Sequence, residues 1–254
     1  MITVDLNSDL GEGFGAWACG DDAAMLKIVT TANVACGFHA GDPDVMATTF
    51  RLARQNGVAV GAHPGYPDLQ GFGRRPMRMS EGEVERMVAY QIGAAAGMAA
   101  YAGHRLTHVK AHGALANTAA AEAGIAAAVA RAVRAVDRDL IHLAIACSEQ
   151  IRAGEAAGLL TVAEIFADRG YDENGQLVRR GLPGAMIEDP EEAAARALTM
   201  VEEGAIITVS GKRLPTAIGS ICVHGDSPHA VAAADRLKQR LAAAGIAVRA
   251  FAGA

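Results

Sequence analysis

A rhythm restricts this chain's fold more than any single motif. Short apolar runs rich in β-branched residues alternate with longer alanine-rich stretches whose apolar residues recur at helical spacing. The runs at 2–6, 32–36, 58–62, 106–109, 141–146, 160–165, 205–209, 220–223 and 246–250 read as strands. Between them, 22–31, 43–56, 80–102, 117–136, 148–157, 189–203 and 227–244 read as helices. Ser80 followed three residues later by Glu83 has the pattern of a capping box, and Asp189-Pro190 that of an N-cap with proline in the first turn. The runs are apolar at most positions of both faces, as in a parallel sheet covered by helices. Strand then helix, repeated about seven times, means α/β with parallel strands.

Neither a linker nor a low-complexity tract divides the 254 residues, so 1–254 reads as one domain, a length that a parallel barrel uses in full. Two insertions break the rhythm, at 63–79 and 166–188, and 205–223 has the makings of a hairpin around Gly211-Lys212. Formal net charge is −5, and basic residues never cluster beyond two in a row, which excludes electrostatic capture of nucleic acid. A membrane span needs about 20 consecutive apolar residues and none is present. The opening MITVDLNSDLGEG lacks the features of a signal peptide, and Cys19, Cys36, Cys147 and Cys222 stand far apart without a CxxC. A cytoplasmic protein with reduced, core-type cysteines is expected.

The polar residues obey a position rule. Asp5, Asn7 and Asp9 fall at the end of the first run, His39 after the second, and His63 and Asp68 after the third. Lys110 and His112 follow the fourth, Glu164, Asp168 and Arg169 the sixth, and His224 and Asp226 the last run before the final helix. Parallel strands finish at one edge, so these groups are expected in a single crevice. Asp5, Asn7 and Asp9 alternate and face one way in an extended chain; the other reading has Asn7 and Asp9 capping the turn at Gly11. A metal, if present, would be held by Asp5, Asp9, His39 and His63. Arg74 and Arg75 either clamp a carboxylate or form a solvated basic loop. GEGFGA at 11–16 matches a dinucleotide fingerprint only weakly, because Glu12 sits inside it, and no Walker A loop is present.

Six blocks carry a resemblance: DLNSDLGEGFG (5–15), ANVACGFHAGD (32–42), GAHPGYPDLQGFGRR (61–75), HGALAN (112–117), AEIFADRGY (163–171) and CVHGD (222–226). In order and across nearly the whole chain, they resemble the LamB/YcsF family. The resemblance implies a (β/α) barrel of fewer than eight full units, similar to the sugar deacetylase barrels. It further implies ATP-dependent opening of 5-oxoproline to L-glutamate together with partner subunits B and C. The fourth block departs from the family's KPHGALYN at Ala111 and Ala116, while His112 and Asn117 are kept.

Lactam opening needs a base, an oxyanion stabiliser and an acid for the leaving nitrogen. Asp9 with His63, or Glu12 with His39, would activate water, and Lys110 or His112 would stabilise the oxyanion. Arg74 or Arg169 would hold the carboxylate of 5-oxoproline. Asp5, Asn7, Asp68, Asn117, Glu164, Asp168, His224 and Asp226 complete the expected substrate shell. ATP would be handled mainly by the partner subunits. The competing readings are a stand-alone metal-dependent deacetylase or amidohydrolase, and a non-catalytic component that binds 5-oxoproline without chemistry.

Overall fold

The protein is described by a computed structural model covering residues 2–224 and 230–251. In chain order its first half runs β1 (Thr3–Leu10), α1 (Asp22–Met25), β2 (Thr31–Ala35), α2 (Pro43–Asn56), β3 (Ala59–His63), α3 (Glu81–Tyr101), β4 (Leu106–Val109), α4 (Gly113–Ala121) and α5 (Ala123–Val136). The second half runs β5 (Ile141–Ile145), α6 (Glu149–Ala156), β6 (Thr161–Phe166), α7 (Pro190–Glu203), β7 (Ala205–Ile207), β8 (Arg213–Pro215), β9 (Ser220–Cys222), α8 (Ala230–Ala243) and β10 (Ala247–Val248). Strands β1 to β6 pair in sequence, β6 pairs with β9, and β9 pairs back to β1, all parallel. Seven strands therefore close a barrel, and every strand points its C-terminal end to the same mouth.

Local signals set the helix boundaries. Asp42 accepts from the amides of Asp44 and Val45 ahead of Pro43, and α2 ends where Gly57 turns left-handed at φ 66°. The Ser80–Glu83 capping box opens α3, with the Ser80 amide donating to Glu83 Oε2 at 2.8 Å. Asp189 caps α7 through the Glu191 amide.

The apolar core is the annulus between barrel and helices. Leu6, Val34, Val60, Val109, Ile165 and Ile221 point outward from the strands onto Phe50, Ile92, Val129, Met200 and Leu237. Full burial of each such side chain contributes about 1.5–3 kcal/mol. The alternate positions face the lumen, and there the expectation of two apolar faces fails. Asp5, Asn7, Asp9, Thr31, Asn33, His108, Lys110, Glu164 and Ser220 are all buried polar residues. A polar lumen is tolerated because its groups satisfy one another, as described below.

Three further expectations are corrected. The first helix is a single turn rather than 22–31, and β1 continues to Leu10, so Asp5, Asn7 and Asp9 lie within a strand. The stretch 117–136 is two helices, broken at Glu122 by an extended backbone (φ −113°, ψ 110°) two residues before Gly124. The hairpin expected around Gly211-Lys212 is present, with β7 and β8 paired antiparallel outside the barrel, while 220–222 supplies the seventh barrel strand. The last run forms only β10, which pairs with Thr3 and Val4 where β9 does not reach. Among the described residues, no helix is long and apolar enough to cross a membrane.

Candidate active site

A continuous hydrogen-bonded column fills the lumen. At its base the Asp5 carboxylate accepts from Thr30 Oγ1 (2.6 Å), Thr31 Oγ1 (2.9 Å) and the Ser220 hydroxyl. Burial pushes this carboxyl up to about 6 despite those donors. Asn7 donates to Ser220 Oγ at 2.7 Å, and Asn33 donates to Asn7 Oδ1 (2.8 Å) and Asp9 Oδ1 (2.9 Å). His108 crosses the lumen to Asn33 Oδ1 at 2.9 Å, passing over Gly61. A Cβ there would stand 2.3 Å from the His108 ring, so only glycine leaves room. Asn7 and Asp9 thus face inward; the turn at Gly11 is held instead by Asp22, which accepts the Gly11 amide at 2.9 Å.

Lys110 is the electrostatic centre of the column. Its Nζ lies 2.8 Å from Asp9 Oδ1, 2.8 Å from Glu164 Oε1, 3.2 Å from Asn7 Oδ1 and 3.1 Å from Cys222 Sγ. Burial alone would discharge the ammonium, but Asp9, Cys222 and Glu164 hold its pKa well above the ordinary lysine value. Asp9 is likewise held well below the carboxylate range, its burial outweighed by His63 and Lys110. Glu164 is pushed up by burial against the pull of Lys110.

Three imidazoles meet above this column. His63 Nδ1 lies 2.8 Å from the Lys110 carbonyl and His112 Nε2 lies 2.8 Å from the Phe72 carbonyl. Carbonyls only accept, so both of those nitrogens carry protons. The nitrogens left over, His63 Nε2 and His112 Nδ1, face each other at 3.0 Å with Asp9 Oδ2 at 3.3 Å and Glu12 Oε1 at 3.5 Å. Two lone pairs cannot face at that distance, so an additional proton or a cation belongs between them.

His39 stacks on His112 with ring centroids 3.7 Å apart, and its Nε2 is 3.7 Å from Glu12 Oε1. Burial, reinforced by the neighbouring histidines, holds His39 and His112 well below the usual imidazole range. Backbone strain supports the arrangement. Phe72 is left-handed (φ 54°), which aims its carbonyl at His112, and Gly73 (φ 62°) passes where a Cβ would stand 2.7 Å from His39. A non-glycine residue in this region costs about 1–3 kcal/mol and is kept where surrounding structure enforces it.

His224 forms a separate dyad. Its Nδ1 lies 2.9 and 2.8 Å from the two oxygens of Asp168, and its ring stacks on Phe166. Burial would lower this histidine, but Asp168 raises it above the ordinary value and is itself lowered in return. With Nδ1 engaged, Nε2 remains for the cavity.

The cavity at the mouth has a volume of about 610 Å³. Of the residues singled out by sequence, Asp9, Glu12, His63, Lys110, His112 and His224 line it. Arg74, Asn117 and Arg169 line it as well, and the departing positions Ala111 and Ala116 form part of the wall. Asp5, Asn7 and Glu164 lie beneath in the column, and His39 and Asp168 stand behind lining residues. Asp68 points elsewhere: it caps the turn at Leu69–Gly71 and pairs with Arg75, which holds its carboxyl low. Asp226 lies outside the described residues. Sequence reasoning passed over Asn33, Cys222, Arg179 and Arg180; only the alternation of Asn33 and Cys222 with their apolar neighbours could have signalled the first two.

Two groups could hold a metal ion among the described residues: Glu12, His39, His63 and His112, and Asp9, Cys222 and His224, with ligand atoms in each within 4.8 Å of one another. The first fits a divalent cation well. It offers one carboxylate and three imidazoles, the facing lone pairs need a positive partner, and both His39 nitrogens lack hydrogen bonds. Of the metal ligands expected from sequence, His39 and His63 belong to this group. Asp9 adjoins it through His63, and Asp5 is bound into the base of the column.

A family model described as the LamB/YcsF family matches residues 4–254. The chain is 58% identical to the A component of the 5-oxoprolinase of Azorhizobium caulinodans, over 99% of this chain and 100% of that protein. The crystal structure of a lactam utilization protein from Thermus thermophilus matches with a TM-score of 0.92 at 44% identity, covering 98% of this chain and 100% of that one. The catalytic domain of a peptidoglycan N-acetylglucosamine deacetylase from Eubacterium rectale matches with a TM-score of 0.53 at 11% identity, over 98% and 89% of the two chains. That last similarity is one of fold.

Proposed function

The chain belongs to the LamB/YcsF family, and from that membership we propose that it is the A component of a 5-oxoprolinase, opening the lactam of 5-oxoproline to L-glutamate. In this reading ATP is consumed on partner subunits B and C, and the hydrolytic chemistry takes place at the barrel mouth. The observation that carries it is the placement of a base and an acid on one cavity. An Asp9 oxygen and a His224 nitrogen lie within 4.8 Å of each other, with opposite protonation tendencies.

The amide carbonyl is a poor electrophile, so each group has a defined task. Asp9, ionised and lining the cavity, accepts the proton of an attacking water directly. His63 is oriented by the Lys110 carbonyl and therefore presents Nε2 to Asp9 and His112. Lys110 contributes its charge to the developing oxyanion. Its three N–H donors already face Asp9, Glu164 and Asn7, so it acts through the field more than through a free donor. His224, kept protonated by Asp168, gives its Nε2 proton to the departing ring nitrogen. The pairing of Glu12 with His39 is the weaker base, since His39 does not line the cavity. Bound by Glu12, His39, His63 and His112, a divalent cation would supply charge that polarises a carbonyl.

That metal-fitting group also supports a second reading, a metal-dependent amidohydrolase acting alone. One assay separates the two: glutamate release from 5-oxoproline, with and without ATP, by the chain alone and by the chain with its partner subunits. The proposed function predicts release only with partners and ATP. Release by the isolated chain without ATP, lost on chelation, would replace it with the second reading.

A further inference from the structure

Asp9, Asn33, Gly61 and His108 form one rung of the barrel. Asp9 on β1 is the register partner of Asn33 on β2, Asn33 of Gly61 on β3, and Gly61 of His108 on β4. Register partners present their side chains to the same face, here the lumen. Gly61 contributes none, which leaves room for the His108 ring. His108 can therefore reach across two strand spacings, about 9–10 Å, and bring Nε2 towards Asn33. That nitrogen ends 2.9 Å from Asn33 Oδ1.

Donors and acceptors along this rung admit one arrangement. Asn33 Nδ2 donates to Asn7 Oδ1 (2.8 Å) and Asp9 Oδ1 (2.9 Å), so the amide oxygen faces His108 and can only accept. The proton at that contact belongs to His108 Nε2. Burial pushes His108 down to about 3, so the ring is neutral and its bare Nδ1 faces the Thr107 hydroxyl at 2.9 Å. A flipped Asn33 amide would set its oxygen against the Asp9 carboxylate and its amino group against the His108 N–H. His108 thus locks the orientation of Asn33.

At the end of the rung, Asp9 Oδ1 accepts from Lys110 Nζ at 2.8 Å and from Asn33 Nδ2 at 2.9 Å, which occupies both lone pairs of that oxygen. Oδ2, 3.3 Å from His63 Nε2, is the oxygen with lone pairs left to take a proton. Lys110 alone does not secure this division. Its ammonium sits on a flexible stem and also faces Glu164, Asn7 and Cys222. Asn33 supplies a planar donor carried on the neighbouring strand.

We propose that Asn33 is a positioning residue for the hydrolytic step: held by His108, it ties down Asp9 Oδ1 and so selects Oδ2 as the oxygen that receives the proton of water. This role rests on the reading of Asp9 as the base. The water O–H bond breaks, its proton passes to Oδ2, and its oxygen bonds the lactam carbonyl carbon. Asn33 alters the geometry of that transfer and not its stoichiometry.

The test is a double-mutant cycle in the enzyme assembled with its partner subunits and supplied with ATP and 5-oxoproline, with rates taken per folded molecule. Asn33→Leu nearly keeps the shape and removes both hydrogen-bonding ends. It is expected to lower kcat by about 10–10²-fold and to change KM by less than about threefold, as for the loss of one hydrogen bond to a charged group. In an Asp9→Asn background the same substitution should change kcat by less than about twofold, because the oxygen it positions is no longer a base. A residue that only maintained the fold would lower both backgrounds alike. His108→Leu should lower kcat by about threefold to tenfold, and His108→Gln, which can return an N–H to Asn33 Oδ1, should restore most of that loss.

Equal losses in the two backgrounds, or an unchanged kcat in Asn33→Leu, overturn the proposal. If Asn33→Leu does not fold, equal rates in the two His108 variants overturn it. Parent-like turnover by Asp9→Asn would remove the base itself and the proposed function's chemistry with it. An inactive Asp9→Asn enzyme beside a fully active Asn33→Leu one leaves the function standing and only the role of Asn33 gone.

Discussion

Replacing Lys110 by methionine keeps most of the side chain's bulk and deletes the ammonium that lies 2.8 Å from both Asp9 and Glu164. Those carboxylates stay buried. Removing one partner of a buried ion pair costs about 3–5 kcal/mol, against about 5–15 kcal/mol for a whole domain, so the variant folds with little margin. The sign with pH follows from the protonation states. Without Lys110, Glu164 loses the pull that opposes its burial, so its folded pKa stands further above the unfolded one, and its contribution is intact below about pH 4 and is lost as pH rises. In the parent, Asp9 is held low, and its contribution is present at neutral pH. The difference between the two proteins should therefore be small at pH 5 and widen by pH 8. Urea unfolding followed by far-ultraviolet circular dichroism at both values measures it. Adding Glu164→Gln should return about 0.5–3 kcal/mol at pH 8, because one of the stranded charges is gone. A loss below about 1 kcal/mol that is equal at both pH values would refute the picture of a charged column sealed in the barrel.

His142 is buried behind β5 with neither ring nitrogen hydrogen-bonded, and burial pushes it down to about 4. A depressed folded pKa means stability that is complete above about pH 6.5 and lost on acidification, about 3 kcal/mol by pH 4; His142→Leu should flatten the acid limb of a plot of Tm against pH. Gly61→Ala should cost about 1–3 kcal/mol in urea unfolding by forcing the His108 ring aside. Asp168→Asn should let His224 fall back toward an ordinary histidine, moving the alkaline limb of the kcat profile to lower pH while substrate affinity changes little.

The barrel was legible because its cause is local: each β-branched run and each alanine-rich stretch declares its own period, and caps such as Asp189-Pro190 declare their ends. The gathering of Asp9, His63, Lys110, His112 and His224 was legible for the same reason, since parallel strands bring their ends together. The lumen was not. Asn33 and His108 meet only because the β3–β4 register shifts between Val60 and Gly61, and a register is a property of two strands rather than of either sequence. Arg179 and Arg180 were invisible because a loop has no period to reveal which way it faces. Asp68 shows the converse: it follows a strand as the site residues do, yet Arg75, seven residues on, is near enough to claim it. The break at Glu122 had one weak signal, Gly124 two residues on, which the helical preference of the surrounding alanines masks.

At the centre of this account stands Asp9 as the group that accepts the proton of the attacking water. Asp9→Asn keeps the shape and removes that capacity. In the enzyme reconstituted with its partner subunits, supplied with ATP and 5-oxoproline, glutamate release should fall by about 10²–10⁴-fold while the circular dichroism spectrum is unchanged. A folded Asp9→Asn enzyme that releases glutamate at the parent's rate would contradict it.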